Sequence, residues 1–251
     1  MYRCEDLIRR NNCEDKLLAS NLALDFSADA DEFCKTMRRW LNNHAARERA
    51  RSSYLVHMIE RSSYNEDRLI RAANAFDQLP NDLYPEEVVI DQELANAKAQ
   101  ARKLFRALPD SPERSSVLNA LGRVGRFTLK RKVRHRAEIV VNLLSGQLPK
   151  LIMVTDTAID ARNNFVHGHN PVVLRDEGRI IELTDEQIYQ HFSFFTATLE
   201  FIFVASDLID SGWKIEDWFP KMQTSAHPFR QFVNVYQSEL SQLEQLLPPV
   251  G

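Results

Sequence analysis

Apolar residues recur every three to four positions through most of the chain, the pattern of helices that each bury one face. Phe33, Met37, Trp40 and Leu41 open it and predict a first helix from about Asp29 to Asn42. A second runs from about Ala45 to Arg61, with Ala50, Tyr54, Met58 and Ile59 inward and Arg47, Arg49 and Arg51 on other faces. Ser63 followed three residues on by Glu66 is a capping-box pair and predicts a third helix, carrying Leu69, Ala73, Phe76 and Leu79 up to Pro80. Pro85 suits the first turn of a fourth, whose buried stripe would be Ile90, Leu94, Ala97, Ala101, Leu104 and Leu108. Ser111 and Pro112 start a short helix to Leu121, and Thr128 caps another to about Leu144.

The next helix spans about Leu148 to His167, and Gly168 ends it, because glycine takes the left-handed conformation without steric cost. Pro171–Leu174 and Arg179–Leu183 flank Arg175-Asp176-Glu177-Gly178, the shape of a small β-hairpin. Thr184 and Gln187 form a second capping-box pair. The run that follows, Phe192 to Ile209, is the most apolar in the chain. Read as a membrane span it is only eighteen residues long and is interrupted by Glu200 and Asp207. Burial on several sides fits better, with one face in the core and another against a partner subunit. Phe229 to Leu247 reads as the last helix. Residues 1–28 are a lead-in whose pattern specifies little; Leu22–Phe26 is either a short strand or a packed approach to the first helix. The fold class is therefore all-α with one small β-hairpin, in a helical domain over 29–251.

Composition agrees: seven glycines are too few for a barrel or sandwich, and 44% hydrophobic with 27% charged residues is ordinary for a globular domain. Cys4, Cys13 and Cys34 are odd in number and have no paired close spacing, so they read as reduced thiols. The charged N-terminus lacks the apolar run of a signal peptide, which makes the cytoplasm the expected compartment and a membrane role unexpected. A net charge of −3 means that any affinity for nucleic acid must come from a local patch. One such patch is legible. From Arg114 to Ala137 there are eight cations and no acid, and Arg126, Lys130, Arg131 and Arg134 are the candidate phosphate contacts within it. A solvated helix face, balanced by acids elsewhere, is the alternative reading of the same run.

The other concentration of chemistry is Ala161–Asn170, ARNNFVHGHN. Leu151, Thr155, Ala158, Arg162 and Phe165 share one helical stripe, so Arg162 has apolar neighbours and needs a partner or a task. His167 falls at the helix end. Five residues separate the two by roughly 140° about the axis and about 7.5 Å along it, so one helix cannot close a tight Arg–His site. A two-fold mate of the same helix is an economical way to complete it. A structural reading also stands, with Arg162 a satisfied interior arginine and His167 a favourable cation at the helix C-terminus. His167 and His169 could ligate zinc or copper as an H-x-H pair, but no neighbouring cluster supplies two further ligands.

Arg162, polar Asn163, three residues, then His167 resembles the R-polar-x3-H motif of HEPN domains, all-helical proteins of which many are metal-independent ribonucleases. With the helices around Phe33–Leu41 and Ser63–Leu79, the chain resembles the ApeA-like branch of that group, prokaryotic defence proteins, over roughly residues 30 to 245. Longer ApeA-like proteins carry a large β-rich N-terminal portion, where here about 30 residues precede the helices. The resemblance implies an HEPN-like helical bundle, a homodimer with composite sites, RNA as substrate, no cofactor and no metal. It implies cleavage by attack of the RNA 2′-hydroxyl, with His167 moving a proton, Arg162 carrying charge to the phosphorane, and Asn163 orienting the histidine or binding phosphate. A regulatory or antitoxin partner would suit a toxin-like enzyme. The alternative function is a catalytically silent HEPN module that binds RNA, a nucleotide or a protein through the same groove.

Overall fold

A computed structural model describes residues 23–24, 26, 29–60, 65–85, 90–144, 146–168, 170–221 and 227–249. Among these are eleven α-helices and one two-stranded antiparallel sheet. The helices are α1 (Ala30–Asn42), α2 (His44–Glu60), α3 (Glu66–Asp77), α4 (Gln92–Arg106), α5 (Pro112–Arg123), α6 (Leu129–Leu143) and α7 (Leu151–His167). Strands β1 (Val173–Asp176) and β2 (Arg179–Glu182) follow, then α8 (Asp185–Gln190), α9 (Phe192–Asp210), α10 (Ile215–Lys221) and α11 (Pro228–Glu244).

The chain folds around α9. It packs on α3, α6, α7, α8 and α11, while α2 lies on α3 and α1 on α2. Most of α9 is buried, including Phe194, Phe195, Leu199, Phe201, Ile202 and Phe203, so most of its apolar surface is consumed inside the chain. This is the single helix among the described residues that is long and apolar enough to cross a membrane, and 72% of it is buried in the fold. Its faces leave little for the partner subunit expected from the sequence.

Three carboxylates ride on this apolar helix, and arginines from three others meet them. Glu200 accepts two hydrogen bonds from Arg68 of α3, at 2.6 and 2.8 Å. Asp207 accepts from Arg47 at 2.7 Å, from Arg51 at 2.8 and 3.1 Å and from the Trp40 indole at 3.1 Å. Asp210 lies 3.1 Å from Arg47 and 2.8 Å from Arg136 of α6, and Arg136 Nε donates to Ser206. Arg47 and Arg51 are thus buried, against the expectation that they face away from the core. The i, i+4 spacing puts both on one stripe of α2 aimed at α9, and Arg51 also lies 4.1 Å from the centre of the Trp40 ring.

Helix ends follow local chemistry. Asp29, Asn65, Asp91 and Ser111 each accept a backbone N–H at an N-terminus, and Thr184 with Gln187 completes the expected capping box. Asn65 therefore caps α3; Ser63, expected there, lies outside the described residues, as do Leu22 and the side chains of Met58 and Ile59. Thr128 holds the N-cap place of α6 but makes no side-chain cap bond. α4 starts at Gln92 and not near Pro85. Its expected buried stripe is open: Leu94, Leu104 and Leu108 are 42, 70 and 52% exposed, because α4 packs chiefly on α5 and the two stand off the core as a hairpin. The expected β-hairpin is present, but Arg175 and Asp176, read as part of the connection, belong to β1: Asp176 is opposite Arg179, and the turn is the two residues Glu177 and Gly178, both at positive φ.

Two predictions follow from this packing. Asp207→Ala leaves buried Arg51 without its carboxylate and Arg47 with Asp210 alone, and should cost about 3–5 kcal/mol in urea unfolding, whereas Asp156→Ala, which frees a half-exposed surface pair with Arg134, should cost no more than about 1 kcal/mol. Equal costs would sink the account of the network. His227 caps α11 by accepting the Phe229 N–H on Nδ1 and packs against Trp218, and burial pushes its imidazole down to about 4. The fold thus favours the neutral ring, so its contribution is full above about pH 6.5 and is lost as pH falls through about 4. Melts at pH 7.5 and 4.5 should show a smaller loss for His227→Asn than for the wild type.

Candidate functional site

α7 is held at its start by charge and at its end by glycine. Lys150, at positive φ in the N-cap place, reaches Asp176 at 2.8 Å and Glu244 at 2.6 Å, joining the helix start to β1 and α11. The Tyr236 hydroxyl donates to the Pro149 carbonyl at 2.8 Å. Leu151, Val154, Thr155, Ala158, Ile159 and Ala161 are buried, which fixes the rotation of the helix about its axis. At the other end Gly168 takes φ +63 and its N–H returns to Asn164 O at 2.8 Å.

This rotation leaves Arg162 half-buried against α3. Its Nη2 donates to Asn74 Oδ1 at 2.6 Å and its Nη1 to Asn163 Oδ1 at 3.0 Å, while Nε is shielded from solvent with no hydrogen-bond partner among the described residues. Burial lowers the pKa of the guanidinium from its ordinary value, and Asp77, one turn beyond Asn74, opposes that shift. An arginine remains charged under such a shift. Asn74 is the partner that sequence reasoning missed. Its signal was an amide inside a helix whose Ala72, Ala73, Ala75 and Phe76 are all buried, a place where a polar side chain has to find an acceptor or donor.

Asn163 spends its Oδ1 on Arg162, and Asn164 Nδ2 donates to Asn170 O at 2.9 Å, tying the loop after α7 back onto the helix. His167 is exposed and makes no hydrogen bond or ion pair with a described residue. His169 lies outside the described residues, so the H-x-H pair is not seen together. Beside the motif, Phe165, Tyr189 and Phe192 pack ring to ring at 5.7–6.3 Å, and the half-exposed Tyr189 hydroxyl bonds Glu66.

The cation-rich segment is largely answered by acids. Lys130 pairs with Asp160 at 2.8 Å and Arg134 with Asp156, both carboxylates on the neighbouring α7. Lys132 lies 3.2 Å from Asp77, and Arg136 belongs to the buried network. Arg126 is exposed and Arg131 half-buried, and neither has an ion-pair partner among the described residues. The acid-free stretch is therefore balanced in space by carboxylates from both sides of it in sequence, Asp77 and Asp110 before it and Asp156, Asp160 and Asp210 after it.

An all-helical bundle with a small β-hairpin, whose interior helix ends in Arg-Asn-x3-His, defines a class of protein. A model of the Apea-like HEPN family matches residues 70–217, more than half of the 251-residue chain, and the chain belongs to that family. Comparison with curated proteins and with solved structures gives no significant match.

The Arg162–Asn74 contact carries a measurable consequence. Asn74→Ala removes the Nη2 acceptor in a partly dry site and should lower stability by about 1–3 kcal/mol, while Asn74→Asp, which supplies a carboxylate at the same place, should retain it or exceed the wild type in urea unfolding.

Proposed function

We propose that the protein is a metal-independent endoribonuclease of prokaryotic defence, antiviral or toxin-like, that works in the cytoplasm and cleaves RNA by attack of the 2′-hydroxyl. One observation carries this reading. The four arginines of the core network, Arg47, Arg51, Arg68 and Arg136, are each met by a carboxylate, whereas Arg162 is held by two amides alone. Amides position a guanidinium without neutralising it, so its charge stays available to an incoming anion. Membership of a family in which HEPN domains are often ribonucleases supports the same assignment.

In this reading Arg162 stabilises the charge that builds on the phosphorane, and Asn163 and Asn74 fix its plane. His167 moves a proton to or from the 2′-hydroxyl or the leaving 5′-oxygen, and its exposed place at the helix end lets it reach a substrate. The two groups lie on different sides of one helix, so the working site pairs the motif helices of two copies. Exposed Val166 and Tyr189 flank the motif and give such a pairing apolar surface. A regulatory or antitoxin protein would hold the site silent until it is needed.

Cleavage of total cellular RNA by purified protein in chelator tests this. Wild type should cut and leave 2′,3′-cyclic phosphate ends, and Arg162→Ala and His167→Ala should each lose about 100-fold or more. Asn74→Asp should also cut poorly while remaining folded, because a carboxylate takes the arginine's charge. Mixing the Arg162→Ala and His167→Ala proteins should restore cutting if sites are shared between copies. Wild-type rates in both variants would refute the assignment, and folded wild type that binds RNA without cutting would favour the silent binding module.

A further inference from the structure

We propose that the cleft at the base of the α4–α5 hairpin binds the phosphodiester backbone of an RNA strand; this rests on the RNA reading above but not on cleavage. The cleft is about 320 Å³ and is lined by Ile90, Lys98, Arg102, Gly122, Val124, Gly125 and Arg126. Three of these side chains are cationic and none is acidic. Lys98 and Arg102 stand one turn apart on α4 and so present their charges from the same face. Arg126 comes from the turn after α5.

Each cation is available in a way that Lys130 and Arg134 are not. Arg102 Nε is shielded from solvent and has no hydrogen-bond partner among the described residues, an arrangement that an anion would complete. Lys98 Nζ donates to the Val124 carbonyl at 2.7 Å, which fixes its head in the cleft and leaves two N–H groups to give. Arg126 has no ion-pair partner among the described residues and is exposed. The turn itself is shaped by glycine. Gly125 sits at φ +83, and a Cβ there would lie 3.7 Å from Ile90, while a Cβ at Gly122 would meet nothing within 4 Å.

The occupant is a strand and not a free nucleotide. The lining offers phosphate ligands but no aromatic ring for a base to stack on and no amide or carboxylate to read its edge. Arg123, exposed and next to Gly122 in sequence at the end of α5, is a fourth cation at this end of the hairpin, and several cations suit a chain of phosphates better than a single one.

The test is fluorescence-anisotropy binding of a labelled 12-nucleotide single-stranded RNA across a salt series, with the otherwise intact His167→Ala protein so that cutting does not intervene. Arg102→Gln and Arg126→Gln should each weaken binding and reduce the slope of log K against log salt by about 0.7, whereas Arg134→Gln, whose charge already answers Asp156, should change the slope little. Gly122→Leu keeps every charge and fills the cleft; it should weaken binding while leaving the thermal melt at or above that of the parent protein. Full-strength binding by all three cleft variants would overturn this inference and leave the RNA reading standing. Absence of RNA binding by the parent protein would overturn both. Inorganic pyrophosphate as competitor separates strand from free phosphate: displacement of the RNA only at millimolar concentration is the expected result, and micromolar displacement would reassign the cleft to a free polyphosphate.

Discussion

Carboxylates carried through an apolar interior are the constraint that the rest of this fold satisfies. An isolated ionised carboxylate in the core would cost several kcal/mol, and α9 carries Glu200, Asp207 and Asp210 along one nineteen-residue helix. Arginines of α2, α3 and α6 answer them, with Trp40 of α1 adding an indole N–H. Because a guanidinium bonds a carboxylate only in a fixed plane and at a fixed reach, each pair also sets the rotation and height of the helix that supplies it. Apolar contacts fill the volume between these helices, and the ionic contacts decide their register.

The same arithmetic makes Arg162 conspicuous. The interior has a consistent way of holding an arginine, a carboxylate within hydrogen-bond distance, and at the end of α7 that way is set aside. Asn74 and Asn163 give the guanidinium acceptors without charge, and burial leaves its Nε dry and unpaired. Such an arrangement sacrifices stability that a single Asn74→Asp change could supply, and a positive charge kept free is what the sacrifice yields.

Legibility in the sequence depended on how local the determining physics was. The Thr184–Gln187 capping box, the hairpin between Pro171 and Leu183 and the stop at Gly168 were readable because each is decided within a few residues. The inward turn of Arg47 and Arg51 was not, since their partner Asp207 lies 156 residues or more away and an arginine stripe by itself looks solvated. The pattern of α4 was read correctly as helical and wrongly as buried: periodicity reports that a helix has an apolar face but not whether anything comes to cover it. The cationic run was open to two readings in the sequence, and the ion pairs of Lys130 and Arg134 agree with a face balanced by acids elsewhere. Lys130 and Arg134 follow α6 down one side at i, i+4, and Asp156 and Asp160 follow α7 at the same spacing, so the two helices neutralise each other once they pack side by side. The candidate site was half legible. Arg162, Asn163 and His167 sit together in sequence, whereas Asn74, which orients the arginine, is visible only as an amide out of place among alanines.

The proposal that two copies share the site rests on how α7 is clamped. Burial of Leu151, Val154, Ala158 and Ala161 forbids the helix to rotate, and Lys150, Asp176 and Glu244 forbid it to slide. Arg162 is therefore committed to the side facing α3, and His167, five residues on, to solvent on another side. Bringing them onto one phosphate would require α7 to turn or slide against the contacts that hold it. The proposed pairing of two motif helices needs no such movement, because each would offer its histidine to the other's arginine. Rigidity in the single chain is thus what supports the proposed sharing of the site between two copies.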